Sequence, residues 1–439
     1  MIRMVLAAFT AVILALPAQA DINIKEVTSE SGLKGWLVED HSIPFVALEI
    51  RFRGGASLDA PGKRGGIHLM TALLNEGASD LDARAFARAS EALASSFGFD
   101  VGDDALSVSA RFLTENKEPS VELLRAALFD PRFDADAIER VRAQILQNIA
   151  SDAKDPNSIA GQTLDRLVFG DHPYGSHYQG TADSVAALTR EDLLAAHGAV
   201  FARDRIYIGA VGDITEEQLA ALMDDLLGAL PAEGAPMPPQ ADISIPPGLT
   251  VVPFETPQSV ALFVQAGIDQ DHPDYFTAAV LNQVLGGGSF ESRLMQVVRK
   301  ERGLTYGVYS YLAPKDLGAI YMGSVSSAND RIAESVAVIR DEWTKAARDG
   351  VSQQELDDAK TYMTGEYPLR FDGNGTIARI MVGMQMIGLP IDYIPTRNER
   401  VEAVTLEGVK RVAGELLDPE GLHFVVVGQP EGLASTPAN

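Results

Sequence analysis

VALEIRFRGG, residues 46–55, comes back in kind as VALFVQAGID, residues 260–269. In the first run Val46, Leu48, Ile50 and Phe52 fall on one side of an extended chain, and both runs read as half-buried strands. A helical stretch follows each, GGIHLMTALLNEGA at 65–78 and YFTAAVLNQVLGGG at 275–288. Each half then closes on another strand, RIYIGAVGD at 205–213 and LHFVVVGQP at 422–430. The order strand, helix, strand written twice implies an internal duplication, and mixed strands and helices in both copies give the fold class α+β.

The intervening sequence agrees. Thr189 precedes Asp192, Thr215 precedes Gln218 and Ser352 precedes Glu355, each pair in capping-box spacing ahead of an amphipathic run. ALSVSARFL, residues 105–113, places Leu106, Val108, Ala110 and Phe112 on one face of a strand. The plainest break is LPAEGAPMPPQADISIPPG at 230–248, where six prolines exclude a helix or a central strand. The expected organisation is a first domain over 21–230, a linker over 231–248 and a second domain over 249–439.

The chain opens MIRMVLAAFTAVILALPAQA: Arg3, an apolar run from Met4 to Leu16, then Ala18-Gln19-Ala20 as a small-residue cleavage site. Residues 1–20 therefore read as a signal peptide, and the expected location is the periplasm; an uncleaved anchor is the competing reading. The apolar run falls short of the ~20 residues needed to span a bilayer, so no membrane association is expected after cleavage. With no cysteine there is no disulfide framework and no thiolate chemistry, and any metal would have to use His, Asp or Glu. A formal charge of −25 argues against nucleic acid as a partner.

One stretch reads as an unfinished metal site. His68 lies on a predicted helix, but Thr71 and Ala72 stand one turn later, where a hydrolase would place an acid and a second imidazole. Glu76, His172 and His177 are the available substitutes.

FGDHPYGSHYQGTADSVAALTREDL from Phe169 and VLNQVLGGGSFESRLMQVVRKERGLTYGVYSYL from Val280 resemble segments of the pitrilysin or insulinase-like M16 zinc peptidases, the family that includes the mitochondrial processing peptidases. The glycine run 286–288 lacks the Lys-Ser/Thr of a phosphate loop. The resemblance covers nearly all of the chain after residue 20. It implies two homologous M16-type domains, each an antiparallel-rich sheet packed with helices.

Active members carry His-x-x-Glu-His, in which histidines at i and i+4 grip zinc and the glutamate polarises its water, with a further glutamate from a following helix. The matching positions here are His68, Thr71 and Ala72, with Asn148 in IERVRAQILQNIA for the last ligand. The resemblance therefore implies no metal and no cofactor in this chain. It also assigns Arg299 and Tyr306, in RKERGLTY, as donors to the scissile carbonyl as it becomes an oxyanion. Arg302 and Tyr309 are neighbours of the same types without the matched positions. In four-domain members zinc belongs to the first domain and the Arg/Tyr pair to the fourth, so this chain looks like a separately encoded second half. The expectation is a non-catalytic subunit of a heterodimer with a homologous zinc-motif subunit, acting on unfolded peptides, with zinc in the partner. A peptide-binding chaperone or structural scaffold is the alternative, as the respiratory-complex core proteins of this family illustrate. An independently active peptidase comes third.

Overall fold

The computed structural model describes residues 22–288 and 290–437; the signal-peptide reading of residues 1–20 lies outside them. Two sheets organise the chain. The first holds β1 (Lys25–Thr28), β2 (Lys34–Glu39), β3 (Phe45–Arg53), β6 (Ser96–Val101), β7 (Ala105–Leu113) and β8 (Ile206–Gly212) in the order β1-β2-β8-β3-β7-β6. Between β3 and β6 a small ribbon, β4 (Gly77–Ala78) and β5 (Leu81–Asp82), stands apart. The second sheet holds β9 (Gly248–Pro253), β10 (Gln258–Ala266), β11 (Val308–Lys315), β12 (Gly318–Ala328) and β13 (His423–Gly428) in the order β11-β12-β10-β13-β9.

The duplication is visible in the pairing itself. β2 runs parallel to β8 as β9 does to β13, and every other step is antiparallel in both sheets. Hence β2, β8, β3, β7 and β6 correspond to β9, β13, β10, β12 and β11, and β1 is an addition to the first half. Leu106, Val108, Ala110 and Phe112 of β7 all point into the first core, as their alternation required. The boxes at Thr189, Thr215 and Ser352 all form. Residues 231–247 contain no helix or strand.

The strands quoted first are more deeply covered than half-buried. From Val46 to Ile50 every residue of β3 is buried, on both faces. One face packs on the first half's own helices. The other is covered by helix Asn374–Met386, which comes from the second half and crosses β3 and β8. Gly209 of β8 permits the approach: a Cβ there would lie 2.8 Å from Val382 and 3.0 Å from the Ala378 carbonyl. Helix Pro156–Phe169 of the first half returns the exchange by packing on β10 and β13, with Ala160, Leu164 and Val168 against Val260, Val264, Val425 and Val427. Each half thus supplies one wall of the other's sheet, and neither sheet could stay dry alone.

The halves are also pinned at their hairpin ends. Lys315, the last residue of β11, and Asp316, in the turn that follows, reach Asp103 (2.8 Å) and Arg53 (2.7 Å) respectively. The Tyr174 hydroxyl accepts from the Leu317 N–H at 3.0 Å and donates to Asp104.

Candidate functional site

Helix Gly66–Ala72 starts at Gly65, whose φ of 91° suits glycine, and is capped from a distance by Asp59, which accepts from the Gly65 and Ile67 N–H groups at 2.8 Å each. Burial pushes the Asp59 carboxyl up to about 6. His68 sits on this helix against Tyr178, ring centroids 5.4 Å apart, and Tyr178 in turn lies on His177 at 4.6 Å. Arg64 holds that loop in place by donating to the carbonyls of Pro173 (3.0 Å) and Ser176 (2.8 Å). Burial, helped by the neighbouring His177 and opposed by Asp100, pushes the His68 imidazole down to about 4. Its Nδ1 is buried without a hydrogen-bond partner among the described residues. His68 is therefore a neutral imidazole packed on an aromatic ring at ordinary pH.

The other matched positions have been turned to packing or left at the surface. Thr71 is buried and its hydroxyl donates to the Ile67 carbonyl at 2.7 Å, within its own helix. Ala72 packs at the rim of the first core. Asn148 is exposed on helix Ala135–Asp152, although that helix still packs against helix Gly66–Ala72. The helices converge, but the ligands are gone.

The substitutes do not gather. The helix ends at Ala72, so Glu76 does not extend the His68 face as its eight-residue spacing suggested; it pairs with Arg140 instead. His172 donates through Nε2 to the Pro239 carbonyl at 3.0 Å while its Nδ1 accepts from the Tyr174 N–H. Of the three, His177 alone lies near His68. Among the described residues no group of three or more His, Asp or Glu side chains could hold a metal ion. Zinc with its three protein ligands does not fit the donor set present here.

The second half presents the opposite picture. Met295–Glu301 is a π-helix, a wide turn of a kind that often marks functional positions, and it carries Arg299 in its last turn. The following loop is tied down at several points. Arg331 donates to the carbonyls of Gly303 and Arg302 at 3.0 Å each, and the Thr305 hydroxyl donates to the Ser326 carbonyl at 2.7 Å. From this fixed loop Tyr306 projects 89% exposed. Arg299 stacks on Phe290, 4.6 Å from the ring centroid, and has no carboxylate partner among the described residues. The two side chains line one cleft of about 390 Å³, with Gln258, Thr305 and Arg331.

The neighbouring Arg302, by contrast, is engaged with Glu334 at 3.0 Å. Tyr309 lies on β11 and is half exposed. Tyr178 and Phe290 lie within the two resembling segments and Asp59 outside them, but only their contacts single them out.

Residues 36–182 match the family described as insulinase (peptidase family M16), and residues 187–363 match the peptidase M16 inactive domain. A protein of Helicobacter pylori named a non-peptidase homolog is 27% identical over 390 residues, covering 89% of this chain and 90% of that protein. An uncharacterized zinc protease of Mycobacterium tuberculosis is 32% identical over 308 residues, 68% of this chain and 69% of that one. The crystal structure of a peptidase M16 inactive domain from Pseudomonas fluorescens superposes with a TM-score of 0.87 at 29% identity, covering 95% of this chain and 100% of that one.

Proposed function

The chain belongs to the insulinase-like M16 peptidase family, and from that premise we propose that it is the metal-free subunit of an exported heterodimeric zinc endopeptidase that acts on unfolded peptides. The observation that carries the reading is an asymmetry: Thr71, Ala72 and Asn148 offer no ligand set, while Tyr306 and Arg299, which rests on Phe290 and has no carboxylate partner among the described residues, line one open cleft. A homologous subunit with an intact His-x-x-Glu-His would supply zinc and its water. This chain would close the chamber and present two donors, a charged fork and a neutral hydroxyl, to the carbonyl oxygen that gains charge. Export to the periplasm is part of the proposal and rests on residues 1–20.

The sheet edges favour one place for an extended peptide. In the β6–β7 hairpin the Gly102 N–H donates to the Ala105 carbonyl, and that parity turns the backbone groups of Phe97, Phe99 and Val101 away from β7, toward the open edge. On β11 the Ser310 N–H is already given to the Gly286 carbonyl, and Pro314 has none to give. A peptide strand therefore adds more readily to β6.

A second reading, a binding or scaffold protein with no part in proteolysis, draws support from the non-peptidase designation of the Helicobacter pylori relative. Reconstitution separates the two. The purified chain alone is expected to hold no stoichiometric zinc and to cleave no unfolded peptide; mixed with a zinc-motif homologue it is expected to co-elute and to raise peptide hydrolysis. One tightly held zinc per isolated chain would overturn the proposal, and co-elution with no change in hydrolysis would leave the scaffold.

A further inference from the structure

A cavity of about 550 Å³ lies on the face of the first sheet that helix Asn374–Met386 crosses. Its floor is built from β3, β7 and β6 and its roof from the first turns of the helix. Three features of its wall are unsatisfied. Glu49 lines it at 4% exposure, and no hydrogen bond to its carboxylate forms among the described residues; burial pushes the carboxyl up, opposed by the charges of Arg51 and Arg379 and reinforced by Asp100. The helix begins at Gly373 with no side-chain cap, and the Asn374 and Gly375 N–H groups find no acceptor among the described residues. The Asn374 side-chain Nδ2 is buried and likewise unpartnered. The corresponding crossing helix of the first half, Pro156–Phe169, is closed by its own Asp155, which accepts from the Asn157 N–H.

A buried carboxylate without a donor costs stability unless something fills the space beside it, and the helix start opposite, exposed at Gly373 and Gly375, is open to whatever enters. The positive groups, Arg111, Arg379 and the helix N-terminus, call for an anion. Glu49 calls for a cation in the same cavity, which disfavours a phosphate dianion. A ligand carrying both charges answers both demands. We propose that this cavity binds a small zwitterion, an amino acid or dipeptide, with its ammonium on Glu49 and its carboxylate between the helix N-terminus and the guanidinium groups of Arg111 and Arg379. The assignment stands apart from the peptidase reading, and its test needs no partner subunit.

Calorimetric titration of the full chain with Ala-Ala, N-acetyl-Ala-Ala, Ala-Ala amide and inorganic phosphate reads the proposal directly. Ala-Ala is expected to saturate one site, and either blocked dipeptide to bind about tenfold more weakly or worse, the effect of one lost charged hydrogen bond. Glu49→Gln should weaken Ala-Ala and leave the N-acetylated form unchanged. Arg379→Ala, at an exposed position that puts folding at little risk, should weaken Ala-Ala and leave the amide unchanged. Equal affinity for free and blocked dipeptides, phosphate binding more tightly than Ala-Ala, or no saturable binding of Ala-Ala would each overturn the assignment.

Discussion

The two halves share a sheet plan and end in opposite states. At the helix after β3, the positions matched to the zinc motif are closed: Thr71 bonds its own helix, Ala72 packs, and His68 is neutral under Tyr178. After the corresponding strand β10, the loop beyond the π-helix is pinned along its backbone while Tyr306 projects into solvent and Arg299 rests on a ring. Thr71 and Ala72 serve the helix and the core, and Asn148 is left at the surface. An exposed tyrosine on a tied-down loop gains nothing for the fold, because an aromatic ring in water forfeits the 1.5–3 kcal/mol or so that burial would return. The first region is taken up largely by packing, and the second keeps a tyrosine and an arginine clear of it.

The largest effects should come from what the halves share. Leu164→Ala and Met381→Ala each empty a fully buried position where one half's helix lies on the other half's sheet, and each should cost about 2–5 kcal/mol. Urea unfolding followed by tryptophan fluorescence is informative because Trp36 belongs to the first half and Trp343 to the second. One transition that shifts as a whole is expected for either variant; two transitions, only one of which moves, would mean that the exchanged helices do not couple the halves.

Next comes the contrast itself. Tyr306→Phe should leave the unfolding midpoint unchanged yet lower kcat of the reconstituted pair by roughly 100-fold, about 3 kcal/mol for one lost oxyanion donor. Tyr309→Phe, a short way along the same segment, is the control. Equal kcat for wild type and Tyr306→Phe, with assembly confirmed, would remove this chain from the chemical step.

The smallest effect tests the closed side. Because folding holds the His68 imidazole near pKa 4 instead of 6.5, the unfolded chain binds more protons between those values, and stability should fall as pH drops through that window. Asp59, raised to about 6, works the other way: its contribution is present at low pH and lost as pH rises through that value. The useful quantity is therefore the difference between wild type and His68→Gln, measured from pH 4 to 7. It should be flat above pH 6.5 and should move against wild type below it. A flat difference throughout would mean that His68 is not held neutral by burial.

Much of this was legible in residue types and spacing. Missing ligands can be read without coordinates, because threonine, alanine and asparagine cannot do the work of a carboxylate and an imidazole wherever the chain puts them. Local signals were equally dependable: the capping boxes at Thr189, Thr215 and Ser352 use atoms three residues apart, and the alternation in β7 declares one buried face. Glu76, one of the substitutes available to His68, is kept from it for a reason just as local. Helix Gly66–Ala72 stops before the second turn that would have carried the carboxylate round to His68.

What only the tertiary structure decided is which surfaces meet. The apolar stripe of helix Pro156–Phe169 says that something covers it, but not that the cover is β10 and β13 of the other half's sheet. Glu49, which alternates with Arg51 and Arg53 along one side of β3, reads as its solvent face until helix Asn374–Met386 is laid across it and the carboxylate is shut in beside an uncapped helix start. Periodicity fixes the direction in which a side chain points relative to its neighbours, because that follows from backbone geometry. What lies in that direction depends on contacts between distant segments, whose energies arise only once the whole chain has closed around them.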